Sequence, residues 1–337
     1  MKIGLCALLC ILSLSSCEEL LFKSNPPNTP EENFEVFWSD FDRYYSQFEL
    51  KKVNWDSAYA VNRSLINSKT SGQQLFDVIS RMLKNLRDGH AGICARQYGC
   101  SFYKFTANYP TNRIRSVSGY VFLQRKGANF NYGSIVNYNS IGYVQVASFS
   151  GSYEEFESID DILSSLRERG ATSLILDIRG NGGGSDANSG LIAGRFTTEK
   201  LIYSFIRYKA GPGHGEFTGW KTKTVIPGGE VFKGPVVLLT NREVFSSAED
   251  FVLAMQSIPT VTVIGARTGG GSGNPVSRTL PNGWIVHVPR WQQVDLNYEF
   301  YEGIGLAPDI AVEITRADSI AGKDTILERA VELLKNK

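Results

Sequence analysis

Apolar positions change their period along the chain. From Asn33 they recur at three- and four-residue steps (Phe34, Phe37, Trp38, Phe41, Tyr45), the spacing of a helix with one face on a core. A second helical stretch begins near Trp55, and a third runs from Gln73 through Leu86. From Cys100 to about Asn139 the pattern breaks into short aromatic or β-branched runs separated by Asn and Gly, which predicts strands and turns. Beyond this, continuous apolar runs predict strands over Ile141–Phe149, Leu174–Ile178, Val236–Leu239 and Val261–Gly265. Such runs fit strands covered on both faces. Helical patterns lie between them, over Ser158–Arg169, over Asp186–Phe196 and from Ser246, and a last amphipathic helix starts at Asp324. Strand–helix–strand alternation predicts an α/β core. Pro281-Asn282-Gly283 predicts a hairpin, and no internal repeat is visible.

The first residues follow a different logic. Met1-Lys2 is a short basic start, and Ile3 to Leu14 is an apolar run too short to span a bilayer as a helix. It reads as a secretory leader. Leu14-Ser15-Ser16-Cys17 resembles a bacterial lipobox, so residues 1–16 are expected to be a lipoprotein signal and Cys17 the lipid-modified end. Residues 17–32, with three prolines and little periodicity, read as a tether. The expected layout is then a helical subdomain over 33–100, a short strand and turn connection over 101–140, and an α/β core over 141–337. The expected location is the cell envelope, facing the periplasm or the exterior, with the membrane met only through the N-terminal lipid.

Composition narrows the partners. The 337 residues include 42% hydrophobic and 20% charged residues, with a formal net charge of +1. That balance argues against a nucleic-acid partner. Cys94 and Cys100 flank a loop containing Gly99; in an exported protein such a pair can close a small disulfide, and two ligands alone make a poor zinc site. No metal site or cofactor motif is read.

The chemistry candidates are few. His214 lies in a loop with glycines on either side and reads as solvated; His287 alternates with Ile285 along a hairpin strand. His90 ends the third helical stretch inside Leu86-Arg87-Asp88-Gly89-His90, where a helix C-cap is one reading. Arg179-Gly180-Asn181-Gly182-Gly183-Gly184 follows a buried strand and precedes a helix, but lacks the spacing of a P-loop or a dinucleotide fingerprint. A turn of this kind can also present N–H groups to an oxyanion. Ser246-Ser247 open a helix after another buried strand, where a serine either caps the helix or acts as a nucleophile.

Taken together and in order, residues 86–92, 174–184, 236–255 and 303–310 resemble the C-terminal processing peptidase superfamily, over roughly residues 33–335. The resemblance implies a ClpP/crotonase-like spiral core after a helical segment, without a cofactor, acting on peptide or unfolded-protein substrates. It places the nucleophile at Ser246, three residues before Glu249, whose carboxylate in the first helical turn is structural. One branch of the superfamily uses a lysine base, but the matching position is Gly271 and no lysine occurs between Lys233 and Lys323. The tricorn-like branch, which includes the retinoid-binding-protein repeats, uses a histidine and a late glutamate, matching His90 and Glu302. The resemblance thus implies a Ser246–His90–Glu302 serine peptidase working through an acyl-enzyme. His90 would have an ordinary pKa near ~6.5, and the backbone N–H groups of Ser247 and of Gly183 or Gly182 would bind the oxyanion. Gly89 departs from the serine of the tricorn core. About forty positions between Cys100 and Ile141 leave no room for a PDZ domain. The alternatives are a catalytically silent binder of apolar ligands or peptides on the same scaffold, and an acyl-thioester enzyme of crotonase type.

Overall fold

The structure is a computed structural model that describes residues 26–114 and 116–335. The leader and Cys17 lie outside the described residues. The first helix, α1 (Pro30–Tyr44), starts three residues before the expected position. Thr29 caps it, its hydroxyl accepting from Glu32 N at 3.2 Å, and Pro30 occupies the first turn, where its missing N–H costs nothing. The prolines that look like tether therefore run into a helix start.

After α1 come α2 (Phe48–Lys51), α3 (Trp55–Arg63), α4 (Gly72–Asn85), β1 (Gly92–Ala95) and β2 (Gly99–Phe102). Their apolar faces form one aromatic-rich core around Phe37, Phe41, Trp55 and Ile79. Leu280, Trp284, Val286 and Val288, from far down the chain, complete it.

The larger layer begins with β3 (Gln124–Lys126), β4 (Phe130–Ile135) and β5 (Tyr138–Val146), then α5 (Tyr153–Glu157), α6 (Ile159–Glu168), β6 (Ser173–Asp177) and α7 (Asp186–Ala193). It continues through β7 (Leu201–Tyr208), β8 (Lys221–Val225), β9 (Val236–Thr240), α8 (Ser247–Gln256) and β10 (Val261–Gly265). The hairpin β11 (Pro275–Thr279) and β12 (Ile285–Pro289) follows, then β13 (Trp291–Val294), β14 (Ile310–Ala311), α9 (Arg316–Ile320) and α10 (Thr325–Leu334).

A seven-stranded sheet runs β14-β10-β9-β6-β5-β4-β3, parallel from β14 to β5 and antiparallel beyond. Every residue of β6 and β9 is buried, as their unbroken apolar runs require. One apolar cluster fills the face under α6 and α8, and a second lies on the other face with α10. The stretch expected to be a mere connection supplies β3 and β4 to this sheet, and the described residues between β2 and β5 form no separate domain. A four-stranded sheet, β11-β12-β1-β2, joins the late hairpin to the helical lobe. This is the mixed α/β architecture that the periodicity predicts.

Candidate active site

Neighbouring parallel strands deliver the two key loops to one edge. β6 and β9 pair in parallel up to Asp177↔Leu239, and each then turns outward at its C-terminal end, where open α/β sheets form their crevices. The loops are stitched together: Phe245 N donates to Asn181 O at 3.1 Å, and Gly180 N to Asn241 Oδ1 at 3.0 Å. Gly183 holds φ +102°, and a Cβ there would lie 2.8 Å from Ser246 Cβ and from Phe245 O. Only glycine lets the turn come this close. Arg179 is fully buried and spends its guanidinium on Asp177 (2.6 Å) and Asp324 (2.9 Å). The one cation of the turn is thus an internal clamp between the sheet and α10, which removes the phosphate reading.

Ser246 is the N-cap of α8 and holds φ 60°, ψ −129°. A non-glycine residue there carries strain of about 1–3 kcal/mol and persists only where its surroundings impose it. Glu249 supplies that constraint. It accepts from Ser246 N (3.2 Å), Thr268 Oγ1 (2.6 Å), Gly270 N (2.7 Å) and Gly271 N (2.7 Å), while Glu249 N donates to Ser246 O (2.8 Å). Burial pushes the Glu249 carboxyl up to about 7, against the pull of the Thr268 hydroxyl and the two glycine amides. Its structural role matches the expectation. Ser246 and Ser247 line a small cavity of ≈ 60 Å³ with Gly184, Gly271 and Ser272.

The oxyanion donors need one revision. Gly183 N already donates to Asn181 Oδ1 at 2.9 Å, so this amide is occupied. Gly182 and Gly184 are both exposed, and of the two Gly184 shares the cavity wall with Ser246 and Ser247.

His90 does not cap a helix. α4 stops at Asn85, and His90 sits in the turn before β1, its N–H donating to Asp88 Oδ1 at 2.8 Å. Asp88 is buried and also accepts from Tyr45 OH at 2.9 Å. The imidazole packs tilted against Phe245, centroids 4.5 Å apart, which sets it beside the residue preceding Ser246. Its Nδ1 is buried without a hydrogen-bond partner. Burial pushes the ring down to about 4; the Glu302 carboxylate opposes the shift and Lys51 adds to it. This departs from the expected value near 6.5, because the cost of burial outweighs the pull of Glu302.

Glu302 is buried close by, but its partners are other groups. Oε2 accepts from Ser272 N (2.7 Å) and Ser272 Oγ (3.0 Å), and Oε1 pairs with Lys51 Nζ at 2.8 Å. Among the described residues no hydrogen bond joins the His90 ring to Ser246 or to Glu302. Sequence reasoning missed Lys51, a lone charge in the helical lobe. Burial also pushes the Glu302 carboxyl up, with Asp88 adding to the rise and Lys51 opposing it.

Residues 140–312 match peptidase family S41, and residues 26–84 match the tricorn protease C1 domain. The chain belongs to peptidase family S41. A crystal structure of a Parabacteroides merdae protein classed among the peptidases superposes with a TM-score of 0.82 and 35% identity, covering 91% of this chain and 97% of that one. The tricorn protease of Thermoplasma acidophilum is 27% identical over 50% of this chain and 15% of its own length. The carboxy-terminal processing protease CtpA of Bacillus subtilis is 27% identical over 52% of this chain and 36% of its own. The chain thus spans well under half the length of these two curated relatives.

Within the S41 frame, one ring explains both departures noted in the sequence. A Cβ at Gly271 would lie 2.1 Å from the Phe245 ring, and one at Gly89 would lie 2.8 Å from both Phe245 and Phe105. Phe245 and Phe105 stack at 4.1 Å. The aromatic pair occupies the space that a lysine at 271 or a serine at 89 needs. Lys223 reaches the cavity wall beside Ser246, but it pairs with Asp250 (2.8 Å) and Asp186 (3.3 Å). Burial alone would lower its pKa; the two carboxylates outweigh this and hold the ammonium above its ordinary value, unsuited to act as a base.

The remaining candidates are structural. Cys94 and Cys100 face each other across β1–β2 and form a disulfide. His287 lies between Ser277 Oγ (3.3 Å) and Cys94 Sγ (3.9 Å) on that sheet. His214 is not simply solvated: it contacts Asp42 Oδ1 at 2.8 Å and packs tilted against the Phe48 ring.

Proposed function

We propose that this chain is an exported, lipid-anchored serine peptidase that cleaves peptide bonds through an acyl-enzyme. The observation that carries the reading is Ser246, in a strained backbone at the N-terminus of α8, over a cavity shared with Ser247 and Gly184. Ser246 Oγ attacks the scissile carbonyl and passes its proton to the neutral His90 ring. The oxyanion is received by Ser247 N–H and an amide of the glycine turn, Gly184 in place of Gly183. Losing one such donor typically costs about 3–4 kcal/mol of transition-state stabilisation. His90 then protonates the leaving amine, and water releases the acyl group. Glu302 favours the transient imidazolium through space, while Lys51 and Ser272 hold it in place. Lipidation at Cys17 and the cell-envelope location rest on the leader and its Leu-Ser-Ser-Cys tetrad.

A serine-reactive phosphonate and a peptide library test the reading on wild type, Ser246→Ala and His90→Ala. Labelling and cleavage are expected in wild type and lost, by at least about a thousandfold, in both variants. Wild type that neither labels nor cleaves between pH 6 and 9 sinks the proposal. Because the His90 ring lies near 4, kcat/KM is expected to stay level from pH 8 down to about 5; an acid limb at 6.5 would show a solvated base instead. The silent-binder reading is favoured by one observation, the unpartnered Nδ1 of His90. It predicts that wild type binds a peptide without labelling.

A further inference from the structure

A second cavity, ≈ 420 Å³, shares no lining residue with the one at Ser246, and Phe245 packs against glycines of both. Gly89 and Gly269 line it, and both sit against the Phe245 ring, which also abuts Gly271 on the nucleophile side. The charge on its walls is one-sided. Lys51, Lys52, Arg87 and Arg242 face it against a single carboxylate, Glu302, which Lys51 already neutralises. Among the described residues, Lys52, Arg87 and Arg242 form no salt bridge, in a chain whose net charge is only +1.

Two of these cations sit where helices end, Lys52 after α2 and Arg87 after α4. Lys52 and Arg87 hold left-handed conformations, φ 54° and 52°. The two turns are tied together by Lys51 Nζ donating to Arg87 O (3.0 Å) and Arg87 Nη2 to Lys51 O (3.4 Å). Arg242 is buried, gives Nη1 to Thr268 O and Ile304 O, and leaves Nε buried without a partner. Tyr103, Phe105 and Tyr109 add an apolar wall, with the Arg242 guanidinium 4.2 Å over the Tyr109 ring.

We infer that this cavity is a subsite for a carboxylate-bearing peptide segment, held by Lys52, Arg87 and Arg242 with its flanking apolar residue on the aromatic wall. The inference deepens the peptidase proposal and rests on it for the identity of the ligand as a peptide. The carboxylate could belong to an acidic side chain or to a free C-terminus.

The test uses the full chain carrying Ser246→Ala and four fluorescein-labelled hexapeptides read by anisotropy. The peptides are an acidic free acid, its amide, its Asn/Gln counterpart as free acid, and the Asn/Gln amide. The acidic free acid is expected to bind about tenfold tighter than the neutral amide at low salt, and the gap to narrow by 0.3 M NaCl. Amidation that removes the gap assigns the C-terminus, and Asn/Gln replacement that removes it assigns the side chains. Lys52→Asn combined with Arg87→Asn, chosen because Asn tolerates left-handed backbone, should weaken the acidic peptide about fivefold and leave the neutral amide unchanged. Equal affinity for the acidic and neutral peptides, or an unchanged Kd in the double variant with its melting curve intact, overturns the subsite. Phosphonate labelling of chains with Ser246 intact separates the two claims: labelling without acidic preference refutes only the subsite, and acidic preference without labelling refutes only the peptidase.

Discussion

Glu249 and Glu302 are both buried at the candidate site, yet they are held by different parts of the molecule. Glu249 sits one turn into α8 and is fixed by amides and a hydroxyl from the adjoining 268–271 segment, all within the sheet-bearing layer. Glu302 pairs with Lys51, at the end of α2 in the helical lobe, and stands beside the turn that carries His90. The half that carries Ser246, the proposed nucleophile, is therefore built by one sheet and its loops. The half that carries His90, the proposed base, exists only when the helical lobe is docked. The first can be rigid on its own; the second is an interface, and its stability is the stability of docking.

The largest blow to that division is Lys51→Met. It leaves the buried Glu302 unpaired, and breaking one member of a buried pair typically costs about 3–5 kcal/mol. Urea unfolding should show this loss, and Lys51→Met with Glu302→Gln should recover a good part of it. A double variant no better than the single would mean that Lys51 acts through packing, and the contrast with Glu249 would fall.

Next in size is a pH effect from Glu249 itself. Its folded pKa is raised from 4.5 to about 7, so the folded state binds the proton more tightly than the unfolded one. The resulting stability is full below about 4.5 and is lost as pH rises through 7. The advantage of wild type over Glu249→Gln should shrink by up to about 3 kcal/mol between pH 4.5 and 7.5. His90, shifted down, gives the opposite slope between 6.5 and about 4, but it is common to both proteins and cancels. A gap that widens with pH would show that the surrounding donors keep Glu249 ionised throughout.

A milder change probes the wall between the halves. Gly271→Ala drives a methyl into the Phe245 ring, 2.1 Å from the built Cβ, and overpacking of this kind costs about 1–3 kcal/mol. Phe245→Leu in the same chain should relieve it. If Gly271→Ala is neutral in thermal unfolding, the ring is loosely seated and does not explain the missing lysine.

The same division decides what the sequence could disclose. The scaffold around Ser246 was legible because it is local: unbroken apolar runs mark β6 and β9, and the resemblance to the peptidase superfamily points to Ser246, three residues before Glu249. The start of α1 was legible in principle from Thr29-Pro30-Glu31-Glu32, but the neighbouring prolines masked it. The half that carries His90 was not. Lys51 looks like any solvated charge at a helix end, and only the tertiary fold brings it to Glu302, roughly two hundred and fifty positions away. The pull of burial on His90 needs Phe245 in place beside it, and the use of Gly183 N by Asn181 Oδ1 is a turn geometry that glycine content alone does not specify. The late hairpin reads as a hairpin, yet nothing in its pattern says that it closes the core of the helical lobe.

The smallest predicted effect asks whether an exposed contact adds to the buried ties of the helical lobe, the Lys51–Glu302 pair and the hydrogen bonds of Ser46 and Gln47 to Trp291 O. His214, in the segment between β7 and β8, reaches Asp42 on α1 at 2.8 Å and packs tilted against the Phe48 ring of α2. Both partners of the polar contact are about one-third exposed, so solvent screens it. His214→Gln should therefore lower the unfolding free energy read from urea curves by no more than about 1 kcal/mol, with an unchanged m-value. The mutation removes the contact between β7–β8 and the helical lobe without touching Lys51, Glu302 or His90. A small loss leaves the buried Lys51–Glu302 pair as the main electrostatic tie between the lobes. A loss above about 2 kcal/mol, or a lower m-value, would mean that the lobe opens separately when this strap is cut. Docking would then be shared between a buried pair and an exposed one.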